Sequence, residues 1–191
     1  YNFDFNSEFL ILGALNFHQT KVNLDNVSFE SIYSEDAINI FRSTFKIKNT
    51  NYKDISSDAI DIDFSNGTIE SVNFKNIAND AMDFSGSNVE INSSNFDNVQ
   101  DKLISGGEQS NLKISNINAS NSKSGIISKD GSKVFSKNIF FENVQVPFAA
   151  YQKKSQYEYG FLVVDNYKVE NFLIKFAKDN KSKIILDKIV Q

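Results

Sequence analysis

The stretch SSDAIDIDFSNGTIESVNFKNIANDAMDFSGS, residues 56–87, decides the fold because it says nearly the same thing twice. SSDAIDIDFS is followed, about one coil later, by ANDAMDFSGS, so that Met82 stands 22 residues after Ile60. Internal repeats with a period of about 20–50 residues are typical of solenoids, propellers and helical arrays. The chain is therefore predicted to be built from repeated structural units.

One apolar column runs through the chain at this spacing. One step of 22 residues backwards from Ile60 and four steps forwards reach only apolar side chains, in the order Ile38, Ile60, Met82, Ile104, Ile126 and Phe148. A second set of aromatic residues recurs at nearly the same spacing, namely Phe29, Tyr52, Phe74 and Phe96. Like side chains are expected to stack on like in the interior, coil over coil.

Each repeat contains short runs in which apolar and polar residues alternate, and this pattern indicates half-buried strands. No repeat shows the 3.6-residue periodicity of a helical array, and a left-handed hexapeptide β-helix would repeat at 18 rather than 22 residues. We therefore predict an all-β protein, a single-stranded right-handed parallel β-helix (solenoid) of about seven to eight coils. Each coil should add roughly 4.8 Å to the length of the rod.

The domain organisation follows from the register. We expect a single β-helix domain over 1–191, in which 1–21 form a partial first coil, 22–166 the repeat coils and 167–191 a last coil and cap, with a helix over 171–178. The sixth coil carries a longer segment, AYQKKSQYEYG, at 150–160. The chain begins at Tyr1 and runs directly into an alternating segment, so we also expect it to be a fragment of a larger protein.

Composition restricts the function. The net charge is -4, with a single arginine and lysines scattered singly, so no basic face for nucleic acid is expected. No apolar run approaches the roughly 18 residues of a membrane span, so membrane insertion is not expected. The absence of cysteine removes disulfides and thiolate chemistry. No cofactor is predicted, apart from Ca²⁺ in one interpretation of the acidic residues.

Aspartates flank the apolar column. Asp58 and Asp80 precede it by two residues, Asp61 and Asp83 follow it by one, and Asp63 lies nearby. Because side chains alternate along a strand, Asp61 and Asp63 should point outwards, with Asp83 stacked on Asp61 about 5 Å away.

Three interpretations of these aspartates stay open. The carboxylates form a solvated face with compensation from Lys102; or Asp61, Asp63 and Asp83 bind Ca²⁺; or Asp58, Asp80 and Asp83 form a catalytic set.

The long segment of the sixth coil is the second candidate region. Its tyrosines could stack on sugar rings while its lysines pair with acidic sugars; alternatively, it packs its own tyrosines against the rod. Together with the outward aspartates, the predicted binding residues are Asp61, Asp63, Asp83, Lys102, Tyr151, Lys153, Lys154, Tyr157 and Tyr159.

The sequence also resembles a family. SSDAIDI followed one coil later by ANDAMDF is similar to the consecutive Asp-bearing coils of polygalacturonase-type glycoside hydrolases, which are right-handed β-helices of the pectate-lyase-like superfamily. The resemblance implies that Asp58 matches the aspartate of their first motif and Asp80 the first aspartate of their second, where Ala81 replaces its partner. The later Gly-His-Gly and Arg-x-Lys motifs are absent, so the resemblance supports the fold and argues against that activity.

Three functions are therefore carried forward. The first is a non-catalytic module of a bacterial surface or secreted protein, in an extracellular or cell-surface location, that presents a glycan- or partner-binding face; elements such as SKDGS and AYQKK look like those of bacterial β-helix repeat proteins. The alternative is a polysaccharide hydrolase or lyase acting on acidic glycans. The second alternative is a structural shaft or oligomerising spacer.

Overall fold

The computed structural model describes residues 13–191, and every regular element in this part of the chain is a strand. In chain order the strands are β1 Gly13–His18, β2 Lys21–Asp25, β3 Ser28–Ile32, β4 Asp36–Phe41, β5 Thr44–Lys48, β6 Asn51–Ile55, β7 Asp58–Asp63, β8 Asn66–Glu70, β9 Asn73–Ile77, β10 Met82–Ser85, β11 Asn88–Val99, β12 Lys102–Gly107, β13 Asn111–Lys129, β14 Lys133–Tyr151, β15 Phe161–Glu170, β16 Phe176–Lys178, β17 Lys183–Leu186 and β18 Ile189–Val190.

The strands wind into a parallel β-helix with three faces. Strands of the inner coils pair in parallel with the strands one coil before and one coil after them, and only β18 pairs antiparallel among the described residues. We call face A the stack of β1, β4, β7, β10, β12, the ends of β13 and β14, and β16. Face B begins with β2, β5 and β8, and face C with β3, β6 and β9. The predicted β-helix of about eight coils is confirmed.

The predicted core column is confirmed residue by residue. Ile60 is in register with Ile38 on one side and with Met82 on the other, and the pairing continues through Ile104 and Ile126 to Phe148. All six side chains are 0% exposed. Burying one such side chain is worth about 1.5–3 kcal/mol, so the column stabilises every junction between coils.

The aromatic ladder on face C is confirmed as well. Phe29, Tyr52, Phe74 and Phe96 lie in successive coils with ring centroids 4.9–5.0 Å apart and nearly parallel planes. The Tyr52 hydroxyl is buried in this ladder without a hydrogen-bond partner.

The bends explain why asparagine is so abundant. Most coils have a residue with positive φ at each of three bends, and Asn tolerates this left-handed conformation better than most residues. The same side chains bond between coils: Asn98 donates its amide to Asn76 at 2.9 Å, and Asn138 donates to Asn116 at 2.9 Å. The two bends that flank face C are therefore held by stacked amides.

The bend between faces A and B is built differently, and we call it the AB bend. Buried serines follow it, and each Oγ accepts the backbone N–H of the preceding coil's equivalent residue: Ser43 to Ser65 at 2.9 Å, Ser65 to Ser87 at 3.0 Å, and Ser87 to Ser110 at 3.0 Å. In the sixth coil this bend expands into the segment 152–159. The AB bend therefore places one long loop beside the outer surface of face A.

The end of the chain differs from one prediction. The helix predicted over 171–178 is wrong, because this segment returns to the rod and continues the stack. The N–H groups of Leu173 and Ile174 bond to the carbonyl of Gln145, and Phe176 pairs with Phe148 in the core column. Strand pairing on an existing ladder overrides local helix preference. Strand β18 then folds back against β17 and covers its free edge, in agreement with the predicted cap.

Residues 1–12 of the predicted first coil lie outside the described part of the chain. Within 13–191 no helix is long and apolar enough to cross a membrane.

Candidate functional site: an acidic pocket beside the AB bend

The aspartates lie on the outer surface of face A. Asp61 and Asp83 are in register on neighbouring coils, and Asp63 is in register with Ser85. Ile60 and Ile62, which flank Asp61, are buried, while Asp61 and Asp63 of the same strand are half-buried. The predicted outward direction and stacking are confirmed, but the carboxylates are more enclosed than a solvated face would be.

Two of the predicted catalytic residues have structural partners. Asp58 accepts the backbone N–H of Asp80 at 2.9 Å. The carboxylate of Asp80 is 3.1 Å from the Lys102 Nζ and also accepts the Lys102 N–H at 3.0 Å. Asp80 is only 3% exposed. The predicted compensation by Lys102 is confirmed, and Asp80 has little surface left for a substrate.

A pocket of about 300 Å³ opens at the other side of face A, next to the AB bend. We call it the acidic pocket. Its lining residues are Asp61, Asp63, Phe64, Asp83, Ser85, Glu108, Lys129, Asp130, Lys153 and Lys154. Five of the predicted site residues therefore come together here, namely Asp61, Asp63, Asp83, Lys153 and Lys154.

Asp130 joins the long loop to the pocket wall. Its Oδ1 accepts the backbone N–H groups of Lys153 at 2.6 Å and Lys154 at 2.7 Å. The residue is 0% exposed, yet its Oδ2 has no hydrogen-bond partner. A buried carboxylate oxygen without a partner costs about 1–3 kcal/mol or more. A donor supplied by a ligand would remove this cost.

Two lysines neutralise part of the acidic wall. The Lys129 Nζ is 3.4 Å from Asp83 Oδ1, and the Lys129 side chain is buried because Gly107 leaves room for it: a Cβ on Gly107 would lie 2.7 Å from Lys129 Cε. Lys154 pairs with Glu108. Asp83 and Glu108 are thus compensated, whereas none of the ion pairs among residues 13–191 includes Asp61, Asp63 or Asp130.

An aromatic ring forms one side of the pocket. Phe64 is 50% exposed and packs edge-on against Phe41 with centroids 5.8 Å apart. Gly86, with φ of +60°, lies where a Cβ would come within 2.6 Å of the Phe64 ring. The glycine therefore allows the ring to lie beside the next coil, where one ring edge contacts protein and the remaining surface stays accessible.

Three carboxyl groups of face A have raised pKa values, for the same physical reason. Burial raises the pKa of Asp61 to about 9, with further contributions from the neighbouring carboxylates of Asp63 and Asp36. Burial also raises the pKa of Asp63 to about 6, where the charge of Glu108 adds to the effect. Burial raises the pKa of Asp80 to about 7 despite the opposing charge of Lys102. Face A therefore disfavours a full set of negative charges.

The three tyrosines of the long loop do not line the pocket. Tyr151 pairs with Lys129 in face A, and burial raises the pKa of its hydroxyl. The Tyr157 carbonyl accepts a hydrogen bond from the Gln152 side chain, and the Tyr159 ring lies 5.0 Å below the Lys181 Nζ. Stacking of these rings on a sugar outside the acidic pocket therefore stays a prediction.

The predicted Ca²⁺ ligands are near one another but are not gathered around one point. In the described part of the chain no group of three or more His, Asp or Glu side chains is placed to hold a metal ion. A Ca²⁺ ion takes about six to eight oxygens at about 2.3–2.6 Å. Ca²⁺ binding by Asp61, Asp63 and Asp83 therefore stays a prediction and would require these side chains to move.

Three important residues of the pocket were missed from the sequence: Phe64, Glu108 and Asp130. The apolar column points inwards and gives no information about the bend that follows it. One signal was present, since Phe64, Glu108 and Asp130 occupy the same place in the AB bend of three coils, and each has a positive φ.

The fold and its outer site define a parallel β-solenoid with a polar pocket on one face. The family described as "Right handed beta helix region" matches residues 13–172, and the chain belongs to this family. No curated protein sequence matches the chain.

Two solved structures are similar to parts of this chain. The catalytic domain of a GH87 alpha-1,3-glucanase in complex with nigerose is 12% identical over 85% of this chain and 48% of its own, with a TM-score of 0.38. The polygalacturonase from Erwinia carotovora ssp. carotovora is 12% identical over 88% of this chain and 56% of its own, with a TM-score of 0.28. The chain spans about half the length of these structures. At this level the similarity concerns the fold alone.

Proposed function

We propose that the chain is a glycan-binding β-helix module, part of an extracellular or cell-surface protein, and that the acidic pocket is its binding site. The observation that carries the proposal is the buried, unpartnered Oδ2 of Asp130 in a pocket that also presents the half-exposed ring of Phe64. Sugars combine hydroxyl donors with an apolar ring face. A hydroxyl can therefore donate to the Asp130 Oδ2 while the ring face stacks on Phe64.

The size of the pocket supports the same proposal. Ligand pockets span about 300–1,000 Å³, and a volume of about 300 Å³ suits one or two sugar units rather than a folded protein partner. The pocket lies on a rigid parallel ladder, and Asp130 fixes the adjoining loop through two backbone hydrogen bonds. A site of this kind requires little ordering when a ligand binds, which favours affinity.

The proposal is tested by binding measurements on a panel of neutral, amine-bearing and acidic oligosaccharides. Phe64→Ala should weaken binding of any sugar that the wild-type protein takes, because the ring stacks on the sugar. Phe135→Ala is the matched control, since Phe135 is 47% exposed on face B, away from the pocket. A failure of the wild-type protein to bind any member of the panel would refute the proposal.

One observation favours a second function, glycoside hydrolysis. Asp61 is held protonated by burial, since its pKa is raised to about 9, while the adjacent Asp83 is paired with Lys129. A protonated carboxyl group and a carboxylate paired with a lysine, on neighbouring coils, are the elements of an acid and a base or nucleophile. Release of reducing ends by the wild-type protein, lost in Asp61→Asn and Asp83→Asn, would support this function.

A further inference from the structure

The charges of the acidic pocket restrict which sugar it can bind. After Lys129 has paired with Asp83 and Lys154 with Glu108, the carboxyl groups of Asp61, Asp63 and Asp130 remain outside any ion pair. Lys153 is the one lining lysine outside the ion pairs of residues 13–191, and it is exposed. The wall of the pocket therefore carries more acidic groups than basic ones, in a partly enclosed space where charges interact strongly.

We propose that the acidic pocket binds a sugar unit that carries a positively charged amine, such as a de-N-acetylated hexosamine, with the ammonium group directed to Asp63 and the unpartnered Oδ2 of Asp130. This inference rests on the proposed function, since it names the substrate class of the same site. An ammonium has three N–H donors and no acceptor, so it can satisfy two carboxylates at once.

The same geometry disfavours two other ligands. A uronic acid would bring a further carboxylate against Asp63 and Asp130, and like charges at close range repel. A small metal ion needs its oxygens around one point, and the lining carboxylates are not gathered in this way among the described residues. A hydroxylated ring with an amine can contact separated carboxylates one by one while its apolar face lies on Phe64.

The pocket wall contributes to selectivity through desolvation. A buried carboxylate without a partner costs free energy, and a ligand that pairs with the carboxylate removes this cost. The free energy recovered in this way adds to the affinity of the ligand. A neutral N-acetylated sugar keeps the hydroxyl contacts and the stacking on Phe64 but cannot supply the charge. The N-acetylated form should therefore bind at least about tenfold more weakly than the amine, as one charge-assisted hydrogen bond is worth about a factor of ten or more.

The test compares three tetrasaccharides by isothermal titration calorimetry at neutral pH and low salt: one of glucosamine, one of N-acetylglucosamine and one of galacturonic acid. The glucosamine form should bind tightest, and Asp63→Asn should weaken its binding by about tenfold or more. Asp97→Asn changes the net charge by the same amount on face C and should leave the affinity unchanged, which separates the pocket from general attraction to an acidic protein.

Each outcome decides something different. Equal or tighter binding of the galacturonate or N-acetylated form would overturn the inference and leave the glycan-binding function intact. An equal loss in Asp63→Asn and Asp97→Asn would show attraction to the whole surface and would overturn the inference too. Asp130→Asn is the second variant: it retains the Oδ1 acceptor for the loop N–H groups and should weaken binding of the amine more than of the N-acetylated form. Binding of none of the three sugars would refute both this inference and the proposed function.

Discussion

The raised pKa of Asp61 predicts an unusual dependence of stability on pH. The folded protein holds the Asp61 proton up to about pH 9, while the unfolded chain, with a carboxyl pKa of 3.8, releases it. The folded state therefore binds more protons between these values, and stability is greatest at low pH and falls as the pH rises. Most proteins show the opposite trend in acid, because their paired carboxylates have lowered pKa values.

The magnitude follows from the proton count. Between pH 5 and pH 7 the folded state holds about one more proton at Asp61 than the unfolded state, which corresponds to about 1.4 kcal/mol per pH unit and about 2.7 kcal/mol in total. For a chain of this size the change corresponds to a fall in Tm of about 5–10 °C. Asp36 and Asp63, each with a pKa of about 6, act in the same direction over the lower half of this range.

Replacement of Asp61 isolates the contribution of this residue to the pH dependence of stability. Asp61→Asn keeps an oxygen that can accept the Asn39 amide, which lies 2.9 Å from the carboxylate, and removes the titration. The slope of unfolding free energy against pH between pH 5 and pH 7 should decrease by about 1.4 kcal/mol per pH unit, and the variant should be the more stable protein at pH 7. Chemical denaturation followed by circular dichroism measures both quantities.

A second substitution provides the control. Hydrogen bonds from Asn121 and Ser120 lower the pKa of Asp97, so its effect on stability appears only below about pH 4. Asp97→Asn should leave the slope between pH 5 and pH 7 unchanged. If Asp61→Asn has the same slope as the wild-type protein, Asp61 is ionised in the folded state and the reasoning about the enclosed pocket is wrong.

Three further predictions concern the rod. Tyr52→Phe should raise the free energy of unfolding by about 1–2 kcal/mol, because it removes a buried hydroxyl that has no partner, and denaturant titration would show the opposite shift if that hydroxyl were satisfied. Gly125→Ala should lower the free energy of unfolding by about 3 kcal/mol or more, because the added Cβ would lie 2.1 Å from the Pro147 carbonyl oxygen. An unchanged Tm would contradict the close packing of these coils. Asn98→Ala should cost about 1–2 kcal/mol, because Ala tolerates the φ of 59° poorly and loses the bond to Asn76; an unchanged Tm would show that the amide stack adds nothing.

The repeat alone was sufficient to predict the fold. Ile38 to Phe148 form a column because residues one coil apart in a parallel β-helix have the same environment, so a spacing in sequence becomes a position in space. The same reasoning placed Asp83 on Asp61 and Lys102 beside Asp80. These predictions depend only on the register, which follows directly from the 22-residue spacing of the repeat.

The remaining features of the site depend on how the AB bend and the long loop fold. The register of the coils does not determine the path of a bend or a loop. Lys129 is buried because Gly107 is small one coil earlier, and Asp130 is buried because the loop of the sixth coil returns over it. The helix predicted over 171–178 failed for a related reason, since the free edge below Phe148 offered that segment a strand partner. Such contacts join residues whose relation is set by the length and path of a loop rather than by the repeat.

The most direct test of the glycan site is an NMR titration with the glucosamine tetrasaccharide, observed at the aromatic side chains. Phe64 in the acidic pocket and Phe135 on face B are exposed to a similar degree, so nonspecific contact would affect both rings alike. The account predicts saturable shifts of the Phe64 ring signals with no change at Phe135. Shifts at Phe135 alone, or no shift at either ring up to millimolar sugar, would contradict it.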